Sequence, residues 1–215
     1  MSVDVKICGL NTLDGVAAAV TGGARFIGFV FYPPSPRSVT PEEAAPLALS
    51  AGTRVTRVGV VVDPDDAMLG RILAKMPLEM LQFHGQETPA RLAAIKDRYH
   101  IKVMKAIKVS AEPDLQAAKE FFKVADWLMF DAKPPKDLAN ALPGGNALAF
   151  DWELLRQKQW PLPWMLSGGL NLDNLAEAAR ISRAQALDVS SGVERRPGEK
   201  DPAKIRGFLA RARML

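Results

Sequence analysis

Cysteine is almost missing from this chain of 215 residues: Cys8 stands alone, so no intramolecular disulfide can form and the small secreted scaffolds held by several such bridges are excluded. Histidine is nearly as scarce. His84 and His100 lie far apart and are not spaced as paired ligands, which, beside a single thiol, leaves no metal set to expect. No apolar run approaches the roughly 18 residues that cross a bilayer, and the opening MSVDVKICGL has an acidic Asp4 and no long apolar region of the kind a secretory leader carries. No membrane role is expected, and the cytoplasm is the expected location. Also absent are a Walker loop, a dinucleotide-binding glycine fingerprint, any low-complexity tract and any composition shift that would mark a linker.

Nor is charge of either sign concentrated. The 28 Lys and Arg face 24 Asp and Glu, a formal net charge of +4. Only Lys204, Arg206, Arg211 and Arg213 gather, on what reads as the solvated face and favourable dipole end of a last helix. Without a basic stripe and interleaved aromatics, no nucleic-acid partner is expected, and the small basic excess suits an anionic small-molecule substrate. What the chain does have is apolar material, 48% of its residues, enough for a substantial buried core.

That material is periodic. Short runs rich in Val, Ile and Phe predict eight strands, at Val3 to Cys8, Phe26 to Phe31, Val55 to Val62, Met80 to His84, Lys102 to Val109, Trp127 to Asp131, Pro163 to Ser167 and Ala186 to Ser190. Longer amphipathic segments between them predict helices at Thr12 to Val20, Pro41 to Ser50, Ala67 to Lys75, Pro89 to Arg98, Pro113 to Phe122, Trp152 to Gln157, Leu172 to Ile181 and Pro202 to Ala212. Thr40, Pro41 and Glu43 spell a capping box at the start of the second. Alternating βα units with right-handed crossovers either open into a doubly wound sheet or close. Eight favour closure, so the expected fold is a single-domain (β/α)8 barrel, the TIM-barrel architecture, over residues 1–215. The stretch Lys133 to Asn146 is longer than an ordinary barrel loop and is a candidate mobile lid.

A barrel of this kind carries its chemistry beyond the C-terminal ends of the strands. The polar residues there are Cys8, Arg37, Asp63, His84, Lys108, Asp131, Ser167-Gly168-Gly169, and Asp188 with Ser190-Ser191-Gly192. Two glycine runs after the last two strands mark the usual phosphate position of the fold, where backbone N–H groups approach the anion unhindered, although either run alone is equally a tight turn. Cys8 is open to two roles, a small core residue or a thiolate activated by its mouth position and by Lys6 on the same side of the strand. Asp131 ends an apolar run, where a carboxylate is either partnered or kept protonated for use. Arg37, on a proline-stiffened loop, is a bidentate carboxylate grip or a solvated side chain, and His84 reads as a packing residue behind the site.

Taken together, Lys6-Ile7-Cys8-Gly9-Leu10, Gly28-Phe29-Val30-Phe31-Tyr32 with Pro33, Ser35 and Arg37, Gln82-Phe83-His84-Gly85, Phe130-Asp131, Phe150-Asp151-Trp152, Leu166-Ser167-Gly168-Gly169-Leu170 and Leu187-Asp188-Val189-Ser190-Ser191-Gly192-Val193-Glu194 resemble the phosphoribosylanthranilate isomerase family, in its block order. The resemblance implies an Amadori rearrangement of phosphoribosylanthranilate in tryptophan biosynthesis, with Cys8 as general base and Asp131 as general acid. It further implies that Arg37 holds the anthranilate carboxylate, that Gly168, Gly169, Ser191 and Gly192 hold the phosphate, and that Asp188 lies towards the anthranilate end; His84 is counted with Arg37 and Asp188 among the substrate-binding residues. No cofactor is implied, because the substrate's own iminium is the electron sink. In one place the chain departs from the family pattern: where the family tends to carry Gly-Gly-x-Gly, this chain reads Gly144-Gly145-Asn146-Ala147, which implies a stiffer loop. Two rival readings are a catalytically silent phosphosugar-binding barrel and an indole-forming synthase of the same pathway. The first is disfavoured by the presence of both Cys8 and Asp131, the second because Lys108 lacks clear acidic partners.

Overall fold

The computed structural model describes residues 3–134, 144–145, 148–156 and 158–215. Eight parallel strands close in sequence order: β1 (Asp4–Cys8), β2 (Phe26–Phe31), β3 (Thr56–Val61), β4 (Met80–Phe83), β5 (Lys102–Val109), β6 (Trp127–Ala132), β7 (Trp164–Leu166) and β8 (Ala186–Val189), with β8 pairing back onto β1. Every expected strand is present, its ends moved by no more than one residue. The connections hold α1 (Leu13–Thr21), α2 (Pro41–Ser50), α3 (Asp66–Lys75), α4 (Pro89–Tyr99), a 3-10 helix over Glu112–Phe121, α5 (Glu153–Arg156), α6 (Leu175–Ser182) and α7 (Pro202–Ala212). Among the described residues, no helix is long and apolar enough to cross a membrane.

Local chemistry explains most of the helix boundaries. Thr40 Oγ1 accepts from Glu43 N while Glu43 Oε2 accepts from Thr40 N, the reciprocal box read from the sequence. Thr12, Asp65, Thr88 and Asp201 cap their helices from one side only, each side chain accepting from an N–H of the first turn. The fifth connection differs. Its N-cap is Ala111, which has no acceptor, and the Asp114 carboxylate instead takes the N–H groups of Ser110 and Ala111, leaving a 3-10 helix where an α-helix is expected. α6 starts three residues later than its periodicity suggests because Asn171 Oδ1 accepts from Asp173 N and Asn174 N, turning the chain first.

Between β8 and α7 lies an element absent from the sequence reading. A one-turn 3-10 helix (Ser191–Val193) leads into a hairpin of β9 (Glu194–Arg196) and β10 (Glu199–Lys200) around Pro197-Gly198. Of the candidate lid, only 133, 134, 144 and 145 are described, and Asn146 and Ala147 lie outside the described residues, as does Gln157 of the sixth expected helix.

Strand alternation divides the core in two. Outward positions such as Ile7, Phe29, Phe83, Ile107 and Phe130 pack beneath helix residues including Val16, Leu47, Leu92, Leu175 and Phe208, each worth about 1.5–3 kcal/mol of burial. Inward positions form a separate cluster of Phe26, Val58, Met80, Met104, Ala106, Met129, Met165 and Ala186 that plugs the barrel below its mouth. The next inward positions are polar on most strands, Lys6, Gln82, Asp131, Ser167 and Asp188 among them, while β2 and β3 continue with Val30 and Val60, and this change of character defines the floor of the site.

One buried ion pair ties the mouth loops to the sheet. Lys105 of β5 donates to Glu87 Oε2 at 2.8 Å and to Gly85 O at 2.7 Å, while Glu87 Oε1 accepts from Asp63 N at 2.8 Å and Gly85 N at 3.1 Å. Asp63, at φ 44, accepts from Gln86 N through its own carboxylate. Removing one partner of such a pair leaves the other charge buried and alone. Glu87→Gln is therefore expected to lower the unfolding free energy by about 3–5 kcal/mol, read as a lower urea midpoint at constant m value; an unmoved midpoint would show the pair to be dispensable.

Candidate active site

The inward residues at the strand ends meet in a cavity of about 790 Å³, its open mouth included, within the range of small-molecule sites. Val30, Val60, Val62 and Leu148 give it apolar walls, and Cys8, Arg37, His84, Asp131, Asp188 and Ser191 supply its polar groups. Three networks of side chains set their positions.

The first crosses the seam of the barrel. Lys6 and Asp188 are paired in register on β1 and β8, and Lys6 Nζ donates to Asp188 Oδ1 at 2.8 Å. Ser167 Oγ donates to the other carboxylate oxygen at 3.1 Å. Burial favours loss of the Lys6 proton, but Asp188 and Cys8 outweigh it, and the ammonium is held above its ordinary range. Cys8 sits one inward position above. Burial pushes its thiol up, Lys6 pulls it down, and the Asp188 carboxylate opposes Lys6, so the net direction is upward. The sequence expectation of a depressed thiol is thus reversed in the unliganded site: Lys6 is present as foreseen, but its charge is already matched by Asp188.

The second network stands opposite, on β4 and β6. Gln82 and His84 are successive inward positions, and Gln82 Nε2 lies 3.0 Å from His84 Nδ1. With the amide as donor, the ring proton sits on His84 Nε2, which is 3.0 Å from Asp131 Oδ2. His84 is therefore more than a packing residue behind the site; it holds Oδ2 of Asp131, while Oδ1 makes no side-chain hydrogen bond among the described residues. Gly144 lies against this pair: a Cβ there would stand 2.9 Å from His84 Nε2 and 3.0 Å from Asp131 Oδ2, so only glycine allows the chain to pass so close.

The third network fixes Arg37. Its Nε and Nη2 donate to the two oxygens of Glu194 at 2.8 and 2.9 Å, a bidentate fork between side chains only 6% and 4% exposed. Glu194 also accepts from Lys200 Nζ at 2.5 Å. Burial pushes the Glu194 carboxyl up, but Arg37 and Lys200 prevail and hold it below its usual range. Of this set the sequence reading assigned only Arg37. Glu194 ends one of the quoted blocks, yet nothing marked it as a partner, and Lys200 belongs to the unforeseen hairpin.

The glycine loops lie between the first two networks. Gly168 and Gly169 have φ of 93 and 63, and their N–H groups donate to no acceptor among the described residues. Both line the cavity with Ser190 and Ser191, whereas Gly192 does not and packs against the Leu170 carbonyl instead. Asp63 and Lys108 of the expected polar ring stand outside the lining. Asp63 shapes its own loop, and Lys108 is a half-buried neighbour of Asp131 across the β5–β6 register, its ammonium pulled down by burial. Among the described residues, no three His, Cys, Asp or Glu side chains gather as metal ligands.

A family model described as N-(5'-phosphoribosyl)anthranilate (PRA) isomerase matches residues 5–211. The chain is 57% identical over 215 residues to N-(5'-phosphoribosyl)anthranilate isomerase of Rhodospirillum centenum, covering 100% of both. It is similar to the crystal structure of phosphoribosyl anthranilate isomerase from Thermotoga maritima, at 36% identity and TM-score 0.88, over 99% of this chain and 100% of that one. It is also similar to a phosphoribosyl anthranilate isomerase crystallised in complex with reduced 1-(o-carboxyphenylamino)-1-deoxyribulose 5-phosphate, at 34% identity and TM-score 0.83, over 99% and 100% of the two chains.

The raised thiol gives a direct check, made clean by the single cysteine. At neutral pH, iodoacetamide is expected to alkylate the unliganded protein more slowly than a free cysteine, and Lys6→Met is expected to slow it further by removing the cation that favours thiolate. Alkylation at or above the free-thiol rate would contradict this balance of burial and charge.

Proposed function

This chain belongs to the N-(5'-phosphoribosyl)anthranilate isomerase family, and we propose that Asp131 and Cys8 are the general acid and general base of its reaction. It is an enzyme of tryptophan biosynthesis, converting N-(5'-phosphoribosyl)anthranilate into 1-(2-carboxyphenylamino)-1-deoxyribulose 5-phosphate. The observation that carries the assignment is that Cys8 and Asp131 open onto one cavity from different strands, each steadied by its own buried partners, with the two glycine loops between them.

The reaction begins with a proton from Oδ1 of Asp131 to the ribose ring oxygen. The bond from that oxygen to C1 breaks, the ring opens, and the anthranilate nitrogen is left as an iminium. His84 Nε2, at 3.0 Å from the other oxygen, stabilises the carboxylate that remains. The iminium acidifies the hydrogen on C2, and Cys8 as its thiolate takes that proton while the C–H pair forms the C1–C2 double bond and the C1–N π pair returns to nitrogen, giving an enolamine. The Cys8 thiol gives a proton to C1 and the enol hydroxyl gives its proton to the Asp131 carboxylate, which yields the ketone and restores both residues. To act as base the thiol first releases its proton to solvent; burial makes that costly, and the cationic iminium lowers the cost when the thiolate is needed. Since the substrate supplies the electron sink, this course requires no cofactor.

Binding follows from the remaining lining. Backbone N–H groups at Gly168 and Gly169, with Ser191 and the adjacent Gly192, receive the phosphate, and glycine at φ of 93 and 63 lets those amides turn inward. Arg37 meets the anthranilate carboxylate, and Asp188 lies towards the anthranilate end, holding Lys6 beneath the base. The substrate is a small molecule, phosphoribosylanthranilate, with neither nucleic acid nor membrane as partner, and the catalytic domain is a single one over residues 1–215 in the cytoplasm.

Proton transfers of this kind contribute roughly 10²–10⁴ in rate each. Cys8→Ser and Asp131→Asn are each expected to lower kcat at least about a hundredfold while keeping the circular dichroism of the parent. The rate is read as loss of fluorescence of freshly formed phosphoribosylanthranilate without added metal or cofactor. A variant with near-parental turnover removes that residue from the mechanism.

A further inference from the structure

We propose that Glu194 and Lys200 are positioning residues for Arg37 and set the preference of the mouth for a substrate bearing a carboxylate on its aromatic end. The inference rests on the assignment of Arg37 to that carboxylate. Left to itself, an arginine on a surface loop keeps many rotamers, and ordering it on binding costs affinity. Here the ordering is already done: Glu194 engages Nε and Nη2 in a fork, so the guanidinium plane is fixed before any ligand arrives. The fork also decides which edge is offered. Nη1 makes no hydrogen bond among the described residues and lies beside Gly145, which lines the cavity.

Geometry alone does not attract an anion, since Arg37 and Glu194 cancel. Lys200 changes the balance. Its ammonium, with no exposed side-chain surface, sits 2.5 Å from Glu194 Oε1 and brings the buried cluster to one net positive charge, which one carboxylate neutralises. Inside a poorly solvated mouth that excess charge acts more strongly than it would in water. Lys200 is itself fixed by Ser190 O at 2.9 Å and Ser190 Oγ at 3.1 Å, and Ser190 Oγ donates to Cys8 O at 3.1 Å. The backbone of Glu194 is pinned by Lys204 Nζ at 2.7 Å. The hairpin thus anchors the carboxylate grip to the strand that carries the base.

The test compares two ligands and four proteins. The ligands are reduced 1-(o-carboxyphenylamino)-1-deoxyribulose 5-phosphate and its analogue lacking the carboxylate; the proteins are the parent, Glu194→Gln, Lys200→Met and Arg37→Met. The readout is the ratio of the two dissociation constants, a cycle that isolates the carboxylate from general weakening. The parent should favour the carboxylated ligand strongly, and Lys200→Met should cut that preference about tenfold or more; Glu194→Gln should do the same, the freed guanidinium losing more than the uncovered charge adds. In Glu194→Gln, KM should rise while kcat stays near the parent's. The proposal is overturned if either variant keeps the parental ratio, whether both constants hold or both rise together. Retention of the ratio in Arg37→Met as well would instead overturn the assignment of Arg37 to the carboxylate.

Discussion

A lysine with no exposed surface, paired to an aspartate across the β1–β8 seam, is the interaction on which the mouth of this barrel depends. The pairing is possible because a closed sheet brings the first and last strands into register, so two residues distant in sequence become Cα partners. It costs desolvation of both charges, and geometry and the Ser167 hydroxyl repay that only if the seam stays closed. Every polar group above it inherits the result. Cys8 sits over a cation already matched, which explains a thiol at rest rather than a standing thiolate.

The eight strands were legible because each is an apolar run buried on both faces, and turn residues bracket the runs. Positions at strand ends were legible for the same reason: once alternation is known, Cys8, His84, Asp131 and Asp188 fall inward and at the top. Family resemblance then attached roles to them that burial and spacing could not. What was not legible is how charges balance. Lys6 was visible on the correct side of its strand, but its partner lies 182 positions away. Glu194 and Lys200 were invisible for a different reason, since a three-residue strand and a two-residue strand carry too little periodicity to register. The helix errors were local, and each traces to a side chain that competes for backbone N–H groups, Asp114 in one case and Asn171 in the other.

The mouth separates its tasks by strand. In the proposed assignment, proton donation belongs to β4 and β6, the base to β1 supported by β8, and anion recognition to the loops after β2, β7 and β8. This division lets each group have its own electrostatic setting: a carboxylate steadied by imidazole, a thiol steadied by burial, and a guanidinium with a carboxylate and an ammonium behind it. The settings are joined at a few points, such as Ser190, whose hydroxyl touches both the Cys8 carbonyl and the Lys200 ammonium.

Beneath all of this lies the plug of the barrel, in which Met80, Met104, Met129 and Met165 take four inward positions on consecutive strands. Unbranched thioethers adapt their shape with small changes of torsion and keep contact as neighbours shift. The polar ring therefore rests on a deformable bed while its own members are locked by short hydrogen bonds. A lineage carrying this barrel has more freedom to drift below the site than within it: exchanges among apolar residues in the plug can be absorbed by the methionines before they tilt a strand end, which gives the fold a mutational reserve placed where the chemistry does not feel it.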